Sequence, residues 1–215
     1  MYQDFYSLLI CINPIFLSRG KKTMFVKKSA AALCAGLLTL LLTNNIVAGE
    51  AAPQAVMDLA PTLKAWGNNA ILVAAVKAQN AKGMSLDAIK KTDKEWMAAT
   101  GVTPFMQAMM ENNAAKELAR LEASKPYFDE LFLMDNQGAN VAMTNKTSDY
   151  WQGDEAKFTE SYKGGQGAVH IGKVKFDKSS QAYLVQVSVP VMDAGKAIGA
   201  ITIGVNVDEL EKTKK

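Results

Sequence analysis

Reactive side chains are scarce in this chain, which has two cysteines and one histidine in 215 residues. Both cysteines, Cys11 and Cys34, lie in the first 49 residues, so the remainder has no thiol for a disulfide or a cysteine metal site. Arginine is limited to Arg19 and Arg120. His170 has no spaced set of further ligands around it, so no metal site is expected. With a single histidine and no G-x-S-x-G elbow, nucleophilic catalysis lacks its base and its turn. A P-loop and the Rossmann glycine pattern are also missing, so no cofactor is expected and the chain reads as a non-enzyme. Long apolar runs are absent as well. The longest, Ala30–Leu42, falls short of the roughly 20 residues that cross a bilayer.

That short run has the flanks of a leader. Arg19, Lys21, Lys22, Lys27 and Lys28 precede it, and the small residues Val47, Ala48 and Gly49 follow, as in a secretory signal cleaved near Ala48–Glu50. Met24 would give a leader of ordinary length. Residues 1–49 are therefore expected to be the leader, 50–210 a single ligand-binding domain and 211–215 a tail. Taking those five cations and Asp4 from the 24 basic and 21 acidic residues leaves 19 and 20, a net charge of −1. The basic character belongs to the leader, and no nucleic-acid partner is expected. A cysteine-free exported domain suits an oxidising periplasm. Only DELEKTKK follows Val207, so no output module is expected within the chain.

Helical periodicity fills the first half of the exported part. Val56, Leu59, Leu63, Trp66, Ala70, Val73 and Val76 recur every three or four positions and predict one long helix from Gln54 to about Ala81, with Gly83 as its cap. Pro61 either lies near its start or kinks it. Ser85 caps a second helix with Leu86, Ile89, Trp96 and Met97 on its apolar side. A third runs from Phe105 to about Ala123, with Met106, Met109 and Met110 as core filler. Beyond Pro126 the pattern changes to strands: FDELFLMD, NVAMTN, AVHIGKVKF with AYLVQVSVPV, and AIGAITIGVNV. Turn signals stand at Asp135–Gly138, Asp177–Ser180 and Met192–Lys196. The fold class is α+β: a long N-terminal helix and short helices packed on an antiparallel sheet. One polar-aromatic excursion, SDYWQGDEAKF, interrupts that sheet.

The strings LFLMDNQGANVAMTN, SDYWQGDEAKF and VQVSVPVMDAGKAIGAITIGVNV, in this order after a helical half, resemble an extracytoplasmic single Cache (PDC, PAS-like) sensor domain. The resemblance covers residues 54–210 and is strongest from 131 to 207. It implies an N-terminal helix on one side of a five- or six-stranded antiparallel sheet, with a pocket for a carboxylate, amino acid or amine. Many amino-acid-sensing members use an arginine beside a Trp-Tyr pair. The chain departs from that pattern, since Arg120 lies in a helix away from the sheet.

Eight residues are candidates for a ligand site: Tyr150, Trp151, Asp154, Lys157, His170, Tyr183, Gln186 and Ser188. Tyr150 and Trp151 either roof the core or line a pocket with ring faces and a hydroxyl. Asp154 either caps a short helix or contacts ligand. Lys157, three residues on, shares its helical face and either pairs with it at the surface or holds an anion. His170 faces either the pocket or solvent from its strand. Tyr183 shares one strand face with Val185, Val187 and Val189; Gln186 and Ser188 share the other, where buried polar groups need partners. The expected ligand is a short organic carboxylate, with amino acids and amines as alternatives; an interaction protein without ligand is the other class. Signalling would then pass to a separate membrane receptor or kinase, or through self-dimerisation by the N-terminal helix.

Overall fold

Strands β5 (Ala182–Asp193) and β6 (Lys196–Asn206) form a long hairpin on which the other strands are laid. Its turn residues Ala194 and Gly195 both adopt positive φ, 48° and 79°, matching the right-handed twist of the strands they join. Strands β1 (Phe128–Met134) and β2 (Asn140–Met143) add beside β6. The short β3 (His170–Ile171) and β4 (Lys175–Asp177) pair with successive stretches of β5. The order is β2-β1-β6-β5-β3, with β4 also on β5, and every pairing is antiparallel. The structure, a computed structural model, describes residues 49–178 and 180–214. The leader expectation thus falls almost wholly outside the described residues. Among them, no helix is long and apolar enough to cross a membrane.

Eight helices accompany the sheet among the described residues: α1 (Gln54–Met57), α2 (Ala60–Trp66), α3 (Ala70–Asn80), α4 (Leu86–Ala98), α5 (Pro104–Glu111), α6 (Asn113–Glu122), α7 (Ala156–Tyr162) and α8 (Val207–Lys212). Period-two alternation in the strands gives the sheet two different faces. On one, Leu131, Leu133, Val185, Val187, Val189, Ile201 and Ile203 pack against Leu63, Leu72, Val76, Leu118 and Leu210 of the helices. On the other, Phe132, Met134, Met143 and Ala200 lie under Ile89, Trp96, Met106, Tyr150 and Phe158. This is an α+β fold, with helices on both faces of one antiparallel sheet, as the strand patterns predict.

The long first helix is three helices in series. Asn69 ends its continuity, because its side-chain oxygen accepts from the Ile71 and Leu72 amides at 3.0 and 3.3 Å and starts α3 afresh. Just before it, the Gly67 carbonyl accepts from the Met192 amide at 2.9 Å. A Cβ on Gly67 would lie 2.0 Å from the Pro190 carbonyl oxygen, so only glycine lets the chain touch β5 there. Asn112 divides the third helix in the same way, capping α6 through the Ala115 amide at 2.9 Å. Ser85 caps α4 as expected, accepting from the Ala88 amide at 3.3 Å. The Gly49 amide donates to the Val174 carbonyl at 2.6 Å and the Val174 amide to the Glu50 carbonyl at 3.0 Å, which ties this stretch to the segment between β3 and β4.

Asn69 also donates to Glu117 at 2.6 Å, and Glu117 holds Arg120. The Arg120 guanidinium keeps the Glu117 carboxyl below its usual range, while burial opposes the shift. Replacing Asn69 by Ala removes a cap and leaves Glu117 short of a donor. The expected loss is about 1–3 kcal/mol, read as a lower urea midpoint with an unchanged slope.

Candidate functional site

The second face of the sheet turns polar toward the open end of β1, and three strands build that polar patch together. Glu130 on β1 lies opposite Gly204 on β6, and Gly204 lies opposite Gln186 on β5. A Cβ on Gly204 would come within 2.6 Å of Glu130 Cγ, so the missing side chain makes the room that Glu130 occupies. Across that gap the Gln186 amide donates to Glu130 Oε1 at 2.9 Å. Beside the pair opens a cavity of about 530 Å³, walled by α7, β3 and β4. Lys157, His170, Lys173, Lys175, Glu155 and Asp177 bring charge or hydrogen-bonding groups to it.

Lys157 is the most committed cation of this site. Its side chain is only 13% exposed, its ammonium lies 3.2 Å from Glu155 Oε2, and it stands 5.2 Å from the centre of the Phe132 ring. Burial raises the Glu130 carboxyl above the ordinary carboxylate range. Asp177 and Asp129 push it further up; the Gln186 amide and the Lys157 charge pull it down. The cavity thus sets a partly desolvated ammonium near a carboxyl that resists ionisation. Among the described residues, no group of three acidic, histidine or cysteine side chains is placed to hold a metal ion.

Of the eight sequence candidates, Lys157, His170 and Gln186 line this cavity; the others lie elsewhere. Ser188 is fully buried and exchanges a 2.8 Å hydrogen bond with Thr202 across the hairpin, which satisfies it inside the sheet. Tyr183 packs on the opposite face, its ring 5.2 Å from that of Phe176. Tyr150 is buried against Trp96 and Phe105 in a different cavity. Trp151 and Asp154 line a groove on the α4 side with Lys90, Asp93 and Lys94. The expected Asp154–Lys157 pair does not form: helix α7 begins at Ala156 with Glu155 at its cap, so Asp154 lies before the helix and Glu155 takes the lysine. Glu130 escaped notice because it sits in the apolar string FDELFLMD. The usable signal was its spacing, two residues before Phe132 and four before Met134, which puts an acid on the face that carries Gln186.

The polar-aromatic loop is held in place by the helical layer. Asp93 Oδ1 accepts from the backbone amides of Tyr150 and Trp151 at 2.8 and 3.0 Å. Trp96 Nε1 donates to the Thr147 carbonyl at 2.9 Å, and Trp151 Nε1 to that of Gln137 at 2.7 Å. Neighbouring rings therefore point to different cavities from one fixed strap.

No family model matches the chain, and no curated protein matches it. Solved chains of similar arrangement exist at low identity. The sensor domain of the V. cholerae histidine kinase DctB is 17% identical, with a TM-score of 0.39 over 74% of this chain and 52% of that one. The ligand-binding domain of the Campylobacter jejuni chemoreceptor Tlp3, in complex with 4-methylisoleucine, is 15% identical, with a TM-score of 0.38 over 74% and 61%. The ligand-binding domain of the Pseudomonas aeruginosa amino-acid chemoreceptor PctC, in complex with GABA, is 12% identical, with a TM-score of 0.32 over 69% and 63%. The chain spans about half to under two thirds of these chains' lengths.

The raised Glu130 gives the site a pH signature. An acid whose folded pKa is raised adds stability at low pH, and that contribution is lost as pH rises through the folded value. Glu130→Gln keeps the acceptor for Gln186 but cannot ionise. The melting temperatures of variant and parent should nearly coincide near pH 4, with the variant increasingly the more stable toward pH 8. A difference that did not change with pH would refute the assignment.

Proposed function

We propose that the chain is a periplasmic sensor domain that binds a small organic carboxylate in the Glu130 cavity and performs no chemistry on it. The observation that carries this reading is the convergence of Lys157, His170 and Gln186, from three separate elements, on one cavity of about 530 Å³. Lys157 supplies the anion contact. Its side chain is only 13% exposed and its ammonium is held by Glu155, so a ligand carboxylate meets a cation already fixed in place. Arg120 is paired with Glu117 on α6, so a planar two-point clamp on the carboxylate is not on offer. His170 and Gln186 add shape and neutral hydrogen bonds. The signal then passes to a separate receptor or kinase, or to a second copy of the chain.

Glu130 favours a second reading. An acid that faces Lys157 across the cavity suits a ligand with both an ammonium and a carboxylate, such as an amino acid. One variant separates the two. Removing the negative charge by Glu130→Gln should strengthen binding of a simple carboxylate and weaken that of an amino acid.

A thermal-shift screen of carboxylates, amino acids and amines tests the proposal, because a ligand that binds only the native state raises the melting temperature. Lys157→Met should then weaken an active carboxylate by about 2–5 kcal/mol in titration calorimetry. Asp154→Asn, which alters a different groove, should leave its affinity unchanged. A screen without a shift would favour a ligand-free interaction protein. Equal losses in both variants would refute this placement of the ligand.

A further inference from the structure

No charged side chain occurs from Met97 to Met110, through the end of α4, the loop that follows and most of α5. A surface segment is ordinarily polar, yet Met97, Val102 and Phe105 are 53, 52 and 46% exposed here. Ala98 and Pro104 among them are exposed as well. The other exposed large apolar side chains, Met57, Ile71, Leu86 and Phe176, are scattered over α1, α3, the far end of α4 and β4.

This apolar tip is braced from below. The buried Trp96 ring lies 6.3 Å from that of Phe105, which holds the last turn of α4 against the first of α5. The Thr103 hydroxyl accepts from the Met106 amide at 3.3 Å and starts α5. From β2's side, Lys146 donates to the Ala99 and Gly101 carbonyls at 3.5 and 3.4 Å. Behind the tip, Trp96, Phe105 and Tyr150 wall the cavity beside α4 and α5.

Exposed cations surround the base of the tip. Lys94 and Lys90 lie one and two turns before Met97 on the same side of α4, with Lys91 beside them and Lys146 at the loop carbonyls. The exposed acids nearby are Glu95 and Asp154, while Asp87 stands at the far first turn of α4. Asp93 and Asp149 are partly buried, and accept from the Tyr150 and Trp151 amides and from the Ser148 hydroxyl. Three apolar side chains are too few for the core of a stable protein interface, which buries about 800 Å² on each partner. A bilayer asks for less. Apolar groups on a tip enter the acyl boundary, while lysine stems cross it and leave their ammoniums at the phosphates.

We propose that the loop between α4 and α5 is a docking site for an anionic lipid bilayer. Met97, Val102 and Phe105 enter the acyl boundary, and Lys90, Lys91, Lys94 and Lys146 face the phosphates. The contact is peripheral and does not depend on what the Glu130 cavity binds.

A fluorophore placed on the tip tests the assignment. With Cys11 and Cys34 replaced by serine the full chain has no other thiol, so an environment-sensitive label on Val102→Cys reports from the loop alone. Lys64→Cys, on α2 over the opposite face of the sheet, is the reference. Vesicles of phosphatidylglycerol with phosphatidylcholine should shift the loop label to the blue and leave the reference label unchanged. Phosphatidylcholine alone should shift it far less. Met97→Ser and Lys94→Gln, both at exposed positions, should each weaken the loop's partition about five-fold at an unchanged melting temperature. A loop label that ignores anionic vesicles, or equal shifts of both labels, would overturn the proposal. So would a blue shift without vesicles that grows with protein concentration, which marks a second copy as the occupant.

Discussion

The pairing of β5 with β6 is the constraint from which the rest of the molecule follows. The register runs from Asp193 opposite Lys196 at the turn to Leu184 opposite Asn206 at the far end. Two left-handed residues at that turn, Ala194 and Gly195, fix where it starts. A slip of one residue would exchange the faces of a strand and place Gln186 among the valines of the first core. Only in the observed register do Ser188 and Thr202 meet, so that two buried hydroxyls satisfy each other. The same register sets Gly204 between Gln186 and Glu130, and the side-chain gap at that glycine allows an amide to reach a carboxylate across an intervening strand.

The two faces of this sheet solve different problems. The face under α1, α2, α3, α6 and α8 is aliphatic and closed, with Val185, Val187, Ile201 and Ile203 fully buried. Such packing supplies stability and leaves no room for a guest. The opposite face is mixed. It carries Phe132 and Met134 but also Glu130, Gln186, Ser188 and Thr202, and the helices above it cover it incompletely. The Glu130 cavity and the cavity beside Trp96 both lie there. Dense packing and open cavities are thus divided between the two sides of one sheet.

Much of this fold was legible in the sequence, because period-two patterns and turn residues act locally. The Asp135–Gly138 turn, with Gly138 at a φ of 85°, and the Ser85 cap formed where the residue types predict them. The helix breaks at Asn69 and Asn112 were not legible. Asparagine inside an apolar period reads as a tolerated helical residue until its side chain is seen capping the next helix. The site was half legible. Lys157, His170 and Gln186 stood out as polar groups in apolar surroundings, whereas Glu130 depended on a partner 56 residues away and on the glycine between them. The aromatic pair misled for a simple reason. Tyr150 and Trp151 are adjacent in the chain, yet Tyr150 lines the cavity beside α4 and α5 and Trp151 the groove along α4.

That divergence ties the polar-aromatic segment to three separate cavities. Tyr150 walls the aromatic cavity, Trp151 the groove along α4, and Glu155 both that groove and the Glu130 cavity. Asp93 grips the amides of Tyr150 and Trp151 from α4, and Lys90 on the same helix lies 4.5 Å above the Trp151 ring. Lys157 meets Glu155 at the other end of the segment. Glu155 follows, four residues on, the stretch that Asp93 anchors. Helix α4 is thus joined to the loop twice over, by the Asp93 side-chain bonds and by the packing of Trp96 on Tyr150, so the loop cannot shift without moving this helix.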